Sequence, residues 1–154
     1  MSIPRPVTAG RPRPTNIAVL MRETFVRLND LVIARLTERG HPEVRSAHGA
    51  VFQHLDDTGT TVSLLAERAE MTKQAMAELV RHLENHGYVT RVTDPNDRRA
   101  KLVTPTDRGH EVIAIAQELV PELEQRVSSV VGADRAAALR KDLEAIRTAV
   151  TPPR

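Results

Sequence analysis

The chain has 154 residues, 40% of them hydrophobic, which is enough for one compact domain or two small lobes. Its 22 basic and 20 acidic residues leave a net charge of only +2, so total charge identifies no partner and local clustering must do so. Cysteine is absent, which excludes disulfide frameworks, thiolate metal sites and thiol redox sensing; no apolar run is long enough to cross a membrane or to act as a secretory signal, so a cytoplasmic location is expected.

Residues 1–14 hold Pro4, Pro6, Pro12 and Pro14 with Arg5, Arg11 and Arg13 and no acidic residue, a composition expected to form a flexible basic arm. From a cap at Thr15 or Asn16, apolar residues recur at helical spacing from Ile17 through Leu20, Phe25, Leu28 and Val32 to Leu36, and Gly40 stops them. The aromatic residues are Phe25, Phe52 and Tyr88, so the core has to be mainly aliphatic, a mix suited to helix-on-helix packing. Ser46 is a candidate cap for a second helix carrying Val51, Phe52 and Leu55, ended by Asp56-Asp57-Thr58-Gly59.

Two helices follow in quick succession, Val62 to Ala69 and Thr72 to His86, separated by Glu70 and Met71, which is helix-turn-helix spacing. In the second, Met76, Leu79, Val80 and Leu83 form the buried stripe and Gly87 supplies the stop. Its other face carries Lys73, Gln74, Ala77, Glu78 and Arg81, with Thr72 as the cap. Two β-branched runs, 88–93 and 101–104, flank the turn DPND and read as a short hairpin, or wing. Thr106 caps a helix expected to run from Asp107 to Gly132 with a kink at Pro121. In a last helix, capped by Asp134, Leu139, Leu143, Ile146 and Val150 make a seam of the kind that meets another helix.

A helix-turn-helix followed at once by a hairpin is a winged helix, and it gives the adjacent arginines of DPNDRRAKL a use. The helix from Thr72 would enter a major groove, with Lys73 and Gln74 near base edges and Arg81 on phosphate. The hairpin tip would reach the neighbouring minor groove, whose focused negative potential favours an inserted guanidinium. Asp97, two residues before Arg99, would hold that guanidinium in place, leaving Arg91, Arg98 and Lys101 for phosphates.

The run from Met71 to Gly109 resembles the MarR family of winged-helix transcription regulators, whose wing signature is D-x-R, then L, then T-x-x-G. The matching residues are Asp97, Arg99, Leu102, Thr106 and Gly109, and SAHGAVFQHLD and VSLLAERAEMTKQAM also resemble the family's helix-turn-helix region. The resemblance implies a mainly α fold with a small β wing. Its parts are an arm (1–14), a dimerisation helix (15–40), a winged helix-turn-helix DNA-binding lobe (43–104) and C-terminal dimerisation helices (105–150). It further implies a homodimer on a pseudo-palindromic operator in double-stranded DNA, Arg99 inserted in the minor groove with Asp97 as its positioning partner, and, by family habit, a repressor. Relatives bind small effectors in a crevice between the dimerisation helices and the DNA-binding lobe, which would place Leu28, His48, Phe52 and Ile113 on its wall. Two positions depart from the family pattern. Ala77-Glu78 stands where many relatives have a small hydroxyl residue and arginine, so base preferences do not transfer and Glu78 is expected either to read a cytosine amino group or to repel a phosphate, and Pro105 replaces an aliphatic residue before T-x-x-G.

His82 and His86 stand four apart on one helical face but lack an evident third ligand, so no metal site and no cofactor is assigned. No phosphate-binding glycine loop or nucleophile motif is present, and an enzyme is not expected. Two other readings use the same residues: a metal-responsive regulator of the same fold, and a helical ligand-binding or scaffold protein that does not bind DNA.

Overall fold

Asn16 starts the first helix by accepting the N–H of Val19 on its side-chain oxygen at 3.0 Å, which satisfies one of the donors that a helix start leaves open. The helix, α1, spans Ile17–Glu38 in a computed structural model that describes residues 4–150. Its N-terminal half leaves Ile17, Leu20 and Phe25 exposed, while Leu28, Val32, Ile33 and Leu36 turn toward the rest of the chain. Ahead of it, residues 7–12 close a small hairpin of β1 (Val7–Thr8) and β2 (Arg11–Pro12) around Ala9-Gly10. This local order goes beyond what the arm's composition suggests; its strands are exposed, and Arg13 Nε donates to Thr8 Oγ1 at 2.9 Å.

Between α1 and the helix-turn-helix the chain forms a 3-10 turn, Ser46–His48, and a one-turn helix α2, Gly49–Phe52. Ser46 does not cap it. The capping position is Arg45, whose N–H is taken by His48 Nδ1 at 2.8 Å, and the Ser46 hydroxyl accepts from Asn29 Nδ2 on α1. The periodic apolar residues here are too few to propagate a longer helix, because each turn must repay the cost of its nucleus.

Helix α3 (Val62–Arg68) is capped by Thr61 and α4 (Lys73–Asn85) by Thr72, each hydroxyl accepting the N–H three residues on. Both end in the same way. Met71 N–H reaches Ala66 O and Glu70 N–H reaches Glu67 O after α3; Tyr88 N–H reaches Leu83 O and Gly87 N–H reaches Glu84 O after α4. The left-handed position of this motif is taken by Gly87 in the second case and by Glu70, at φ +53°, in the first. Tyr88 and Leu83, the positions between which this motif's apolar contact falls, are both fully buried in the core.

Strands β3 (Val89–Asp94) and β4 (Asp97–Pro105) pair antiparallel, with Thr60 bridged to Val103 as a third short edge. β4 begins at Asp97 rather than at 101, so the hairpin is longer than expected from its β-branched residues. Pro105 ends β4 opposite Val89, a strand terminus where its missing N–H breaks no ladder. Thr106 then caps α5 (Asp107–Glu118) by accepting from Gly109 N–H and also donates to Gly87 O at 2.6 Å, which locks the wing's end to the stop of α4. A side chain at Gly109 would place its Cβ 2.1 Å from Tyr88 O, so this crossing of α5 over the start of β3 requires glycine.

The long helix expected from Asp107 to Gly132 is two helices, α5 and α6 (Val120–Val131), with Leu119 ending one and starting the other. Pro121 cannot donate to Gln117, and its ring excludes the carbonyl four residues back, so it sits in the first turn of α6. The last helix, α7 (Ala133–Ala149), starts at Gly132, with Asp134 inside its first turn rather than at the cap. The core joins Leu36, Val51, Leu65, Met76, Val80, Leu83, Tyr88, Val103, Val112 and Ile115, and so lies beneath the helix-turn-helix and wing. Neither α6 nor α7 contains a buried residue, and Leu139, Leu143, Ile146 and Val150 remain exposed. No described helix is long and apolar enough to cross a membrane.

Candidate nucleic-acid interface

Helix α4 turns Met76, Val80 and Leu83 into the core, so Lys73, Gln74, Glu78 and Arg81 are exposed and Ala77 is half-buried. Thr72, also exposed, uses its hydroxyl oxygen on Ala75 N–H. The first turn of α4 adds unpaired main-chain donors and the positive end of the helix dipole to the Lys73 ammonium, a combination that favours a phosphate.

The wing carries the second group. Thr93 is opposite Lys101 but Asp94 is opposite Asp97, so Arg98, Arg99 and Ala100 stand out of the ladder at the tip. Asp97 Oδ1 accepts the main-chain N–H of Arg99 at 3.0 Å, and Asp94 Oδ1 accepts that of Asn96 at 2.9 Å. Asp97 therefore orders the Arg99 backbone rather than pairing with its guanidinium. A short side chain reaches the N–H two residues on more readily than the end of a long side chain leaving in another direction.

Arg91 and Lys101 are engaged within the lobe. Arg91 Nε lies 3.2 Å from Glu84 Oε2, bracing β3 against α4, and Lys101 Nζ donates to Thr93 Oγ1 at 3.0 Å. Lys73, Arg81, Arg98 and Arg99 have no side-chain partner among the described residues and are exposed. Two cationic groups thus project from one lobe, one on α4 and one on the wing tip, joined by the Glu84–Arg91 pair.

Behind them lies a polar junction that sequence reasoning missed. Tyr88 OH donates to Glu43 Oε2 at 2.7 Å and sits 3.2 Å from His41 Nδ1, while His41 Nε2 is 3.3 Å from Glu111 Oε2. Arg108 donates to His86 O at the end of α4, lies 3.3 Å from Glu43 Oε2 and covers the Tyr88 ring at 4.3 Å. Burial, followed by the Glu43 contact, pushes the Tyr88 hydroxyl well above its ordinary pKa, and the Tyr88 hydrogen bond holds the Glu43 carboxyl below its own. The one available signal was that Arg108 lies inside the T-x-x-G segment.

Of the four residues expected around an effector, Leu28, Phe52 and Ile113 line a largely apolar crevice of about 550 Å³ bounded by α1, α2, α5 and α6. His48 is elsewhere. It is buried and stacked on His82 at a centroid distance of 4.6 Å, and His82 is 4.4 Å from His86. His82 Nε2 donates to Glu43 O and His86 Nδ1 to His82 O, so these rings bind main chain. Among the described residues no group of three or more His, Asp or Glu side chains is arranged to hold a metal ion.

A family model described as "MarR family" matches residues 44–100. Over 100 residues the chain is 34% identical to transcriptional regulator HosA of Escherichia coli O111:H-, covering 63% of this chain and 74% of that one. Among solved structures, the transcriptional repressor CouR bound to a 23-mer DNA duplex superposes with a TM-score of 0.68 at 23% identity, covering 86% of this chain and 92% of CouR. The S. aureus MepR–DNA complex gives 0.70 at 17% identity, covering 89% and 100%.

Proposed function

This chain belongs to the MarR family of transcriptional regulators, which are not enzymes, and on that premise we propose that it acts as a homodimeric repressor of a pseudo-palindromic operator. Each protomer lays α4 in a major groove and inserts the wing tip in the adjoining minor groove. The observation that carries this is the pair of free cationic groups on one lobe, Lys73 and Arg81 on α4 and Arg98 and Arg99 on the wing. The duplex bound in the CouR and MepR structures supports the same use of a similar fold.

Pairing of two copies is supported by the apolar residues that a single chain leaves in water, Ile17, Leu20 and Phe25 on α1 and Leu139, Leu143 and Ile146 on α7. An effector in the apolar crevice beside Leu28, Phe52 and Ile113 would touch both the dimerising helices and α2, and would release DNA by favouring a different spacing of the two α4 helices.

A mobility shift on duplexes from upstream of the encoding gene, at rising salt, tests the proposal. Retardation by two chains per duplex that weakens steeply with salt is expected. No complex at low salt would overturn it.

A further inference from the structure

Glu78 puts a carboxylate in the middle of a surface whose partner would be a polyanion. At about 100° per residue, Gln74, Glu78 and Arg81 fall within roughly 60° of one another, on the side of α4 opposite Met76, Val80 and Leu83. The other acidic residues of α4 and the wing have partners: Glu84 has Arg91, and Asp94 and Asp97 accept main-chain N–H groups. The Glu78 carboxylate has none among the described residues, although Arg81 is one turn away.

Against phosphates such a group is repulsive, so it opposes binding to duplexes in general. It becomes favourable only where the groove floor presents a donor. In the major groove the base donors are the exocyclic amino groups of adenine and cytosine. The adenine amino group is flanked by acceptors on both sides, its own N7 and the O4 of the paired thymine, which repel a carboxylate, whereas cytosine N4 has an acceptor on one side only, the O6 of the paired guanine. We infer that Glu78 is a specificity-determining residue that accepts a hydrogen bond from cytosine N4 once in each half-site and whose charge weakens binding to duplexes lacking that cytosine. This rests on the proposed mode of DNA binding.

The test is parallel selection from a random duplex library by the full chain and by its Glu78→Gln and Glu78→Ala variants, followed by titration of the selected duplex and of an unrelated one. The unaltered protein is expected to enrich a two-fold-related motif with one cytosine per half-site that both variants stop selecting, the glutamine variant shifting toward adenine, which it can contact in bidentate fashion. Preference at that position should fall on the order of tenfold, and affinity for the unrelated duplex should rise in both variants. Enrichment of the same motif by all three proteins, or a preference lost at a base other than cytosine, would overturn the role of Glu78 and leave the DNA-binding proposal standing. Enrichment of no motif by the unaltered protein would overturn both.

Discussion

The Tyr88 hydroxyl, on a fully buried ring, donates to Glu43 Oε2 at 2.7 Å and so ties the residue that completes the stop of α4 to the loop leaving α1. Arg108 closes the junction from α5 by holding both Glu43 and the last carbonyl of α4. In Tyr88→Phe the ring would still fill its site, but Glu43 would lose a short hydrogen bond and His41 Nδ1 its neighbour at 3.2 Å. Glu43 is part-exposed and keeps Arg108, so the cost falls on His41, which is buried: a loss of about 1–3 kcal/mol in folding stability is expected, the ordinary cost of an orphaned buried polar group. Urea unfolding would register it as a lower midpoint at unchanged slope, and an unchanged midpoint would show the junction to be energetically idle.

Acid should weaken the fold through His48. Burial first, then the neighbouring His82, Arg45 and His86, lowers its pKa from 6.5 to about 4, so the unfolded chain takes up the proton before the folded one does. Stability is therefore fully present above pH 6.5 and declines as pH falls toward 4, by on the order of 3 kcal/mol in total. Glu43 is likewise held below its ordinary value, first by the Tyr88 hydrogen bond, so its contribution is also lost as pH falls, but only from the carboxylate range downward. His48→Gln keeps an acceptor for Arg45 N–H without a titrating ring. Its urea midpoint should fall less than that of the unaltered chain between pH 7.5 and 4.5, and equal falls would refute the assignment.

The contrast between helix ends and side-chain partners shows what a sequence can disclose. Thr72, Gly87 and the Met76-Val80-Leu83 stripe act within a few residues of where they stand, so both ends of α4 and its outward face were legible, as were the wing and its exposed arginine pair. Arg91 with Glu84, His48 with His82, and Tyr88 with Glu43 meet only after separate elements pack. Nothing local told Arg91 from Arg98, although one is braced and the other is free. Pro121 lies between these cases: its effect on the helix was visible, but whether the chain bends or starts a new helix depends on the packing at Leu119, which is 3% exposed.

The α7 seam makes a separate claim, about assembly. Leu143 and Ile146 are 40% and 39% exposed in the single chain and lie on the same face as Leu139 and Val150. Like charges at both positions, Leu143→Glu with Ile146→Glu, should leave the isolated lobe folded, because α7 contributes nothing to the core. Buried in a dimer, the same charges would be desolvated without partners, so association should weaken by several kcal/mol. Sedimentation velocity should then report a lighter species at micromolar concentration, and an unchanged profile would move the dimer interface away from α7.

Arg98 and Arg99 are adjacent, both exposed and both without a side-chain partner among the described residues, yet they should fail differently when removed. Asp97 fixes the main chain at Arg99, so in the proposed binding mode that guanidinium, leaving an ordered backbone, is the one expected at base acceptors, with Arg98 left to phosphate. Arg99→Ala should cost about 1–3 kcal/mol of affinity for the selected duplex and relax its A·T preference beneath the wing. Arg98→Ala should weaken all duplexes alike and reduce the slope of log affinity against log salt by about one. Because neither side chain has a partner among the described residues, thermal midpoints should not move, which separates both effects from misfolding. If the two variants lost affinity equally on every sequence, Asp97 would order the turn without selecting which arginine reads the groove.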